Sequence, residues 1–190
     1  MIPHTPFYFI RHGETEWNRQ GTYMGKTDIA LNTMGREQAR QAAQLLKDEP
    51  ITHIVTSPLL RAQETAEILA ETLQAPVSII EELQEVQFGV FEGKPANRDV
   101  FYRWLKGENI EGVKSITEAG EQLLEAMTQA LALPGPVLIV SHGGVYHAIR
   151  RVLGWSSPGP VHNCAAFYHQ PPEDPQQSWM MVELGENEER

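Results

Sequence analysis

The chain has 190 residues, 41% apolar and 21% charged, which fits one soluble globular domain with a substantial core. Its formal charge of −10 argues against a non-specific binder of nucleic acid or anionic membrane, while a few focused arginines could still form one pocket for a small anion. The single Cys164 rules out an internal disulfide framework. Residues 1–6 show no signal-peptide pattern and no apolar run reaches membrane-spanning length, so a cytoplasmic setting is expected.

In chain order, residues 7–10 form a short apolar strand that runs directly into Arg11-His12-Gly13. Residues 13–32 lack a period and read as a long loop with room for one helical turn. Loops of that length in compact domains tend to be functional. A helix starts at Asn32 or Thr33 and places Ala39, Ala42, Ala43 and Leu46 on one face, with Pro50 after its end. A second strand covers 51–56, and Ser57-Pro58 predicts an N-cap and first helical residue for a helix burying Ala62, Ala66, Leu69 and Leu73. A third strand covers 77–80, and residues 81–93 read as irregular. Residues 99–106 carry a short helical pattern with Phe101 and Trp104, and a further helix spans 117–133.

The most apolar run, 137–140, is the expected central parallel strand, buried on both faces. Gly143-Gly144 leads into a helix through about Leu153. Late strands at 165–169 and 179–184 flank a proline-rich loop and are expected to pair as a hairpin. The alternation predicts an α/β fold: a single-domain three-layer αβα sandwich over 1–190. Its central sheet is mostly parallel with an antiparallel edge, and 185–190 form a frayed tail.

Three strand-to-helix junctions collect the polar residues: Arg11-His12, Ser57-Pro58 with Arg61 one turn on, and Ser141-His142-Gly143-Gly144. In a parallel sheet these junctions share one edge, where ligands bind. Two guanidinium forks plus helix N-termini make a phosphate site. An imidazole beside phosphate suggests a covalent nucleophile, with its pKa depressed by the arginines, and the second histidine suggests a donor to the equatorial oxygens. The leaving alkoxide needs a proton, for which Glu81, Glu82 and Glu85 are all candidates.

Together these residues resemble the histidine phosphatase superfamily, phosphoglycerate mutase-like branch. The match comprises 11–18 (RHGETEWN), 25–31, 57–66 (SPLLRAQETA), Leu83-Gln84-Glu85 with 88–93, and 140–144 (VSHGG). The resemblance implies the phosphoglycerate mutase-like fold and phosphorylation of His12. It further implies that Arg11, Arg61 and His142 hold the phosphoryl group, that Glu85 is the proton donor, and that no metal or organic cofactor takes part. Asn18, Gly25 and Gly143 are the expected substrate contacts. Gln122 stands where the family commonly has serine, and His147, Lys94 and Arg98 also depart from the usual pattern. These departures bear on the substrate rather than on phosphohistidine chemistry.

Blander readings exist for several of these residues. Arg61 could be a surface arginine paired with Glu64 or Glu67. Asn18 could cap a helical turn, and Phe101 with Trp104 could form a lid or core contact. His147 lies five residues from His142, off the same helical face, so the two do not suggest a metal pair. The expected function is hydrolysis of a small phosphorylated metabolite. Mutase-type phosphoryl transfer is the alternative, and a non-catalytic phospho-ligand binder is the remote one.

Overall fold

The computed structural model describes residues 2–156, 159–174 and 177–185. The expected frayed tail falls almost wholly at 186–190, outside the described residues. The elements in chain order are β1 (Phe7–Arg11), α1 (Glu16–Arg19), α2 (Thr33–Leu46), β2 (His53–Thr56), α3 (Leu60–Leu73), β3 (Val77–Ile79), α4 (Arg98–Leu105), α5 (Ile116–Leu131), β4 (Val137–Ser141), α6 (Gly143–Leu153), β5 (Ala166–Gln170) and β6 (Met180–Glu183). Sheet order is β3-β2-β4-β1-β5-β6. The four strands from β3 to β1 run parallel, and β5 and β6 form the antiparallel edge.

Alternation along the strands creates two cores. Phe7, Phe9, Val55, Val137 and Ile139 face the layer of α4, α5 and α6. Tyr8, Ile10, Ile54, Leu138 and Val140 face α2 and α3. The α2–α3 layer packs through alanines, Ala39, Ala42 and Ala43 against Ala62 and Ala66, which lets the helices approach the sheet closely. β4 is buried along its whole length, as its unbroken apolar run predicts. Among the described residues no helix is long and apolar enough to cross a membrane.

Several local expectations are corrected. The helix after β2 starts at Leu60 with Leu59 as its N-cap, and the side chain that accepts from the Leu60 N–H is Asp28, at 2.8 Å. Ser57 Oγ accepts from the Leu59 N–H at 3.3 Å, and its closer partner is a histidine across the sheet edge. β2 starts at His53, because Ile51 and Thr52 donate to the carbonyls of Glu49 and Pro136 instead of a ladder partner. α5 starts at Ile116, where Ser115 and Glu118 form a capping box. The irregular stretch contains two 3-10 turns, Glu81–Leu83 and Gly89–Phe91. β1 and β4 each extend one residue further than predicted, because Arg11 pairs in register with Ser141.

Candidate active site

That register sets the site. With Arg11 opposite Ser141 and Thr56 opposite Val140, the ends of β1, β4 and β2 lie side by side. The His12 N–H donates to the Ser141 carbonyl at 2.9 Å, and the Ser57 N–H to the Val140 carbonyl at 3.1 Å. The His12 and His142 rings end 5.2 Å apart, inclined at 61°.

His12 is 1% exposed, and its Nδ1 lies 2.7 Å from the Gly13 carbonyl oxygen. A carbonyl only accepts, so Nδ1 carries the proton and Nε2 keeps a lone pair. Burial pushes the His12 pKa well below its ordinary value, and the charges of Arg61 and Arg11 push it further. The ring is therefore neutral at neutral pH.

Arg61 is fully buried, which removes the surface reading. Glu64 is held instead by Arg36 at 2.8 Å. Arg61 donates from Nη1 to the Thr27 carbonyl (2.9 Å) and from Nη2 to the Gly25 carbonyl (2.8 Å), anchoring the loop after α1. Burial lowers its pKa to about 10. Arg11 donates from Nη1 to the Val161 carbonyl at 2.7 Å. Arg11 Nε, Arg61 Nε and His142 Nδ1 are all buried without a hydrogen-bond partner among the described residues. Each orphaned polar group costs about 1–3 kcal/mol. Three beside one imidazole mark a place for an acceptor that none of the described residues supplies.

His142 precedes α6 and is fully buried, its Nε2 2.8 Å from Ser57 Oγ. Burial holds its pKa well below the usual range, with Arg61, His12 and Arg11 adding to the shift. Glu85 lies over the same helix N-terminus. Its Oε1 accepts from the N–H groups of Val86 (2.8 Å) and Val145 (3.2 Å), and its Oε2 from that of Gly144 (3.2 Å). Burial raises its pKa against the opposing pull of these hydrogen bonds and of Arg61 and Arg11. A Cβ at Gly144 would lie 2.4 Å from Glu85 Oε1, so only glycine admits the carboxylate there. Glu81 and Glu82 are exposed, leaving Glu85 as the one of the three glutamates placed in the cavity with Arg11 and Gly143.

That cavity holds about 310 Å³ and also receives Asn18 and Gly25. Asn18 takes part in the cap of α1 and borders the cavity. Its Oδ1 accepts from the Thr15 N–H at 3.1 Å in a capping box, and the residue also lines the cavity. Gly25 has φ +50°, and a Cβ there would meet Glu92 Oε1 at 2.1 Å. Gly143 opens α6 with its Cβ position 3.6 Å from Arg11 Nε. His147 reaches the cavity, one turn beyond Gly143. Phe101 and Trp104 divide: Phe101 lines the cavity, while Trp104 is buried and donates from Nε1 to the Lys114 carbonyl.

Two contributors escaped sequence reasoning. Ser57 holds His142, a hydrogen bond spanning 85 positions, and its signal was its place at a strand end rather than any capping pattern. Asn163 donates from Nδ2 to the His12 carbonyl (2.9 Å) and to Asn18 Oδ1 (3.3 Å), and nothing in its local sequence distinguishes it.

Comparison with known proteins places the chain in a family. The family model of the histidine phosphatase superfamily (branch 1) matches residues 7–166. The chain is 38% identical over 155 residues to the uncharacterized phosphatase PhoE of Bacillus subtilis, covering 81% of this chain and 80% of that one. It is 34% identical over 147 residues to the probable phosphoglycerate mutase GpmB of Yersinia enterocolitica, covering 72% and 68% respectively. Its fold superposes with a TM-score of 0.78 on a mycobacterial glucosyl-3-phosphoglycerate phosphatase at 23% identity, covering 94% and 98% of the two chains.

Proposed function

Because this chain belongs to the histidine phosphatase superfamily (branch 1), we propose that it is a phosphomonoesterase that hydrolyses a small phosphorylated metabolite through a phosphohistidine at His12. The observation that carries this reading is the Nδ1 bond of His12 to the Gly13 carbonyl beside three unpartnered buried polar groups on Arg11, Arg61 and His142. It leaves Nε2 nucleophilic and supplies the donors that the transferring phosphoryl oxygens need.

The reaction has two steps. His12 Nε2 attacks phosphorus, the P–O ester bond breaks, and the leaving oxygen takes the proton of the Glu85 carboxyl. Water then attacks the phosphohistidine, Glu85 takes a proton from that water, and the P–N bond breaks to release phosphate. Arg11, Arg61 and His142 bind the equatorial oxygens throughout, with Asn18, Gly25 and Gly143 lining the approach. The raised pKa of Glu85 favours the protonated form the first step requires. No step uses a metal or an organic cofactor.

The likeness to a probable phosphoglycerate mutase supports a second reading, in which phospho-His12 returns the phosphoryl group to the same molecule. The higher identity to a protein named as a phosphatase favours hydrolysis. A panel of phosphorylated metabolites, assayed in EDTA for phosphate release and isomerisation together, separates them. Phosphate release without isomerisation is expected. Isomerisation in excess of release would replace the hydrolase reading with the mutase one, and loss of all turnover in EDTA would replace it with metal chemistry.

A further inference from the structure

The cavity lined by Arg11, Glu85 and Gly143 continues along the groove between α4 and α6. It shares Tyr23, Phe101 and His147 with a neighbouring cavity of about 480 Å³. That cavity in turn shares Tyr102, Leu105 and His147 with a third of about 430 Å³. One wall is a single face of α6, because Gly143, His147, Arg150 and Arg151 stand at i, i+4, i+7 and i+8. At 1.5 Å per residue, Gly143 and the two arginines lie about 10–12 Å apart along the helix. The facing wall is α4 and its C-cap, with Phe101, Tyr102, Leu105 and Lys106.

The groove changes character along its length. Its middle is mainly aromatic and apolar, with Asn97 and Arg98 at its border, and His147 there is neutral, its pKa pushed down to about 4 by burial, then by Arg150 and Arg11. Its far end gathers Lys106, Arg150 and Arg151 around Trp155. Arg150 is only 3% exposed and has a side-chain hydrogen bond with Tyr146, yet its Nε and Nη1 have no hydrogen-bond partner among the described residues. It rests over the Tyr146 ring at 5.3 Å. Among the described residues none of these three cations forms an ion pair, and neither does Arg98 in the middle of the groove.

We propose that this far end is a second anion subsite, and that the substrate is a phosphomonoester of an alcohol with a flat, apolar body and a second anionic group. The proposal rests on the hydrolase reading for the phosphoryl end. A buried guanidinium with free donors binds an anion strongly, and the aromatic stretch before it suits a planar body.

The test compares kcat/KM for 4′-carboxybiphenyl-4-yl phosphate and biphenyl-4-yl phosphate, esters that differ only in a carboxylate at the far end. The wild-type protein is expected to prefer the carboxylated ester by about tenfold or more, mainly through KM. The ratio should fall towards one in Arg150→Gln and in the surface double variant Lys106→Gln/Arg151→Gln, which keeps the test decisive if Arg150→Gln does not fold. Lys47→Gln, on the α2 side, should keep the wild-type ratio. A ratio near one in the wild type, or one that survives the double variant, overturns the subsite. If neither ester nor p-nitrophenyl phosphate is turned over, the hydrolase reading fails separately. The same ratio is then read from calorimetric dissociation constants of the two esters, with the same outcomes.

Discussion

Two buried histidines flank opposite ends of β1, and they have opposite meanings. His12 follows the strand, whereas His169 on β5 pairs with its first residue, Phe7. Both are at most 1% exposed, and burial depresses both pKa values, that of His169 to about 3. Both stand near a buried nitrogen without a partner. His169 is packed as core: it stacks on Phe7 at 4.4 Å with the rings 2° from parallel, meets Trp155 at 5.4 Å, and shares a 3.0 Å hydrogen bond with the Tyr146 hydroxyl. His12 instead stands beside a second histidine and two arginines, one of which, Arg11, lines an open cavity. Burial and a shifted pKa are therefore common to a histidine packed as core and to the proposed nucleophile. What sets His12 apart is the company of Arg11, Arg61 and His142, each with a buried polar atom that has no partner among the described residues.

The strongest way to break this contrast is to remove each ring. His12→Ala should lower kcat for p-nitrophenyl phosphate by about 10⁴-fold or more while the protein stays folded. His169→Ala should do the reverse, costing roughly 2–4 kcal/mol in denaturant unfolding with kcat changed little. A folded His169→Ala protein without activity would erase the distinction.

Glu85→Gln sharpens the account of the first step. It should slow esters with poor leaving groups by about 10²–10⁴-fold and good ones far less. Because burial raises the Glu85 pKa, wild-type kcat on poor leaving groups should fall as pH rises through that pKa. The variant should lose this alkaline limb. Equal slowing of all esters would reject Glu85 as the acid.

Acid stability gives a smaller, signed effect. The folded protein holds His169 neutral below the unfolded pKa of about 6.5, so in that range the unfolded state binds more protons. Stability should therefore fall as pH drops from about 6.5 towards 3, with His12, His142 and His147 adding in the same direction. Urea unfolding of His169→Ala over that range should show a slope shallower by up to about 1.4 kcal/mol per pH unit. An unchanged slope would mean that His169 is already protonated in the fold. Smallest, Ser57→Ala should lower kcat about fivefold by loosening His142, with Ser57→Thr restoring most of it. An Ala variant as fast as wild type would leave the hydroxyl without a part in the reaction.

Much of this was legible in the sequence because the informative residues are local. The apolar runs at 7–10 and 137–140 gave the central strands, and the junctions after them gave Arg11, His12 and His142. The alanine periods of α2 and α3 gave the close-packed layer. What escaped depends on partners far along the chain. Ser57-Pro58 has the local chemistry of a helix start, yet the serine belongs to His142. Asn163 reaches His12 across 151 positions. Glu81, Glu82 and Glu85 look alike locally, and only the α6 N-terminus selects among them. His147 reads as an off-face histidine until α4 closes the groove beside it.

The most direct test of the central claim is to trap the intermediate. A rapid quench of the wild-type protein with ³²P-labelled substrate should give a covalent label that is lost in acid and retained in base, and peptide mapping should place it on His12. Absence of label during turnover, or label on another residue, would contradict the mechanism built on His12 Nε2.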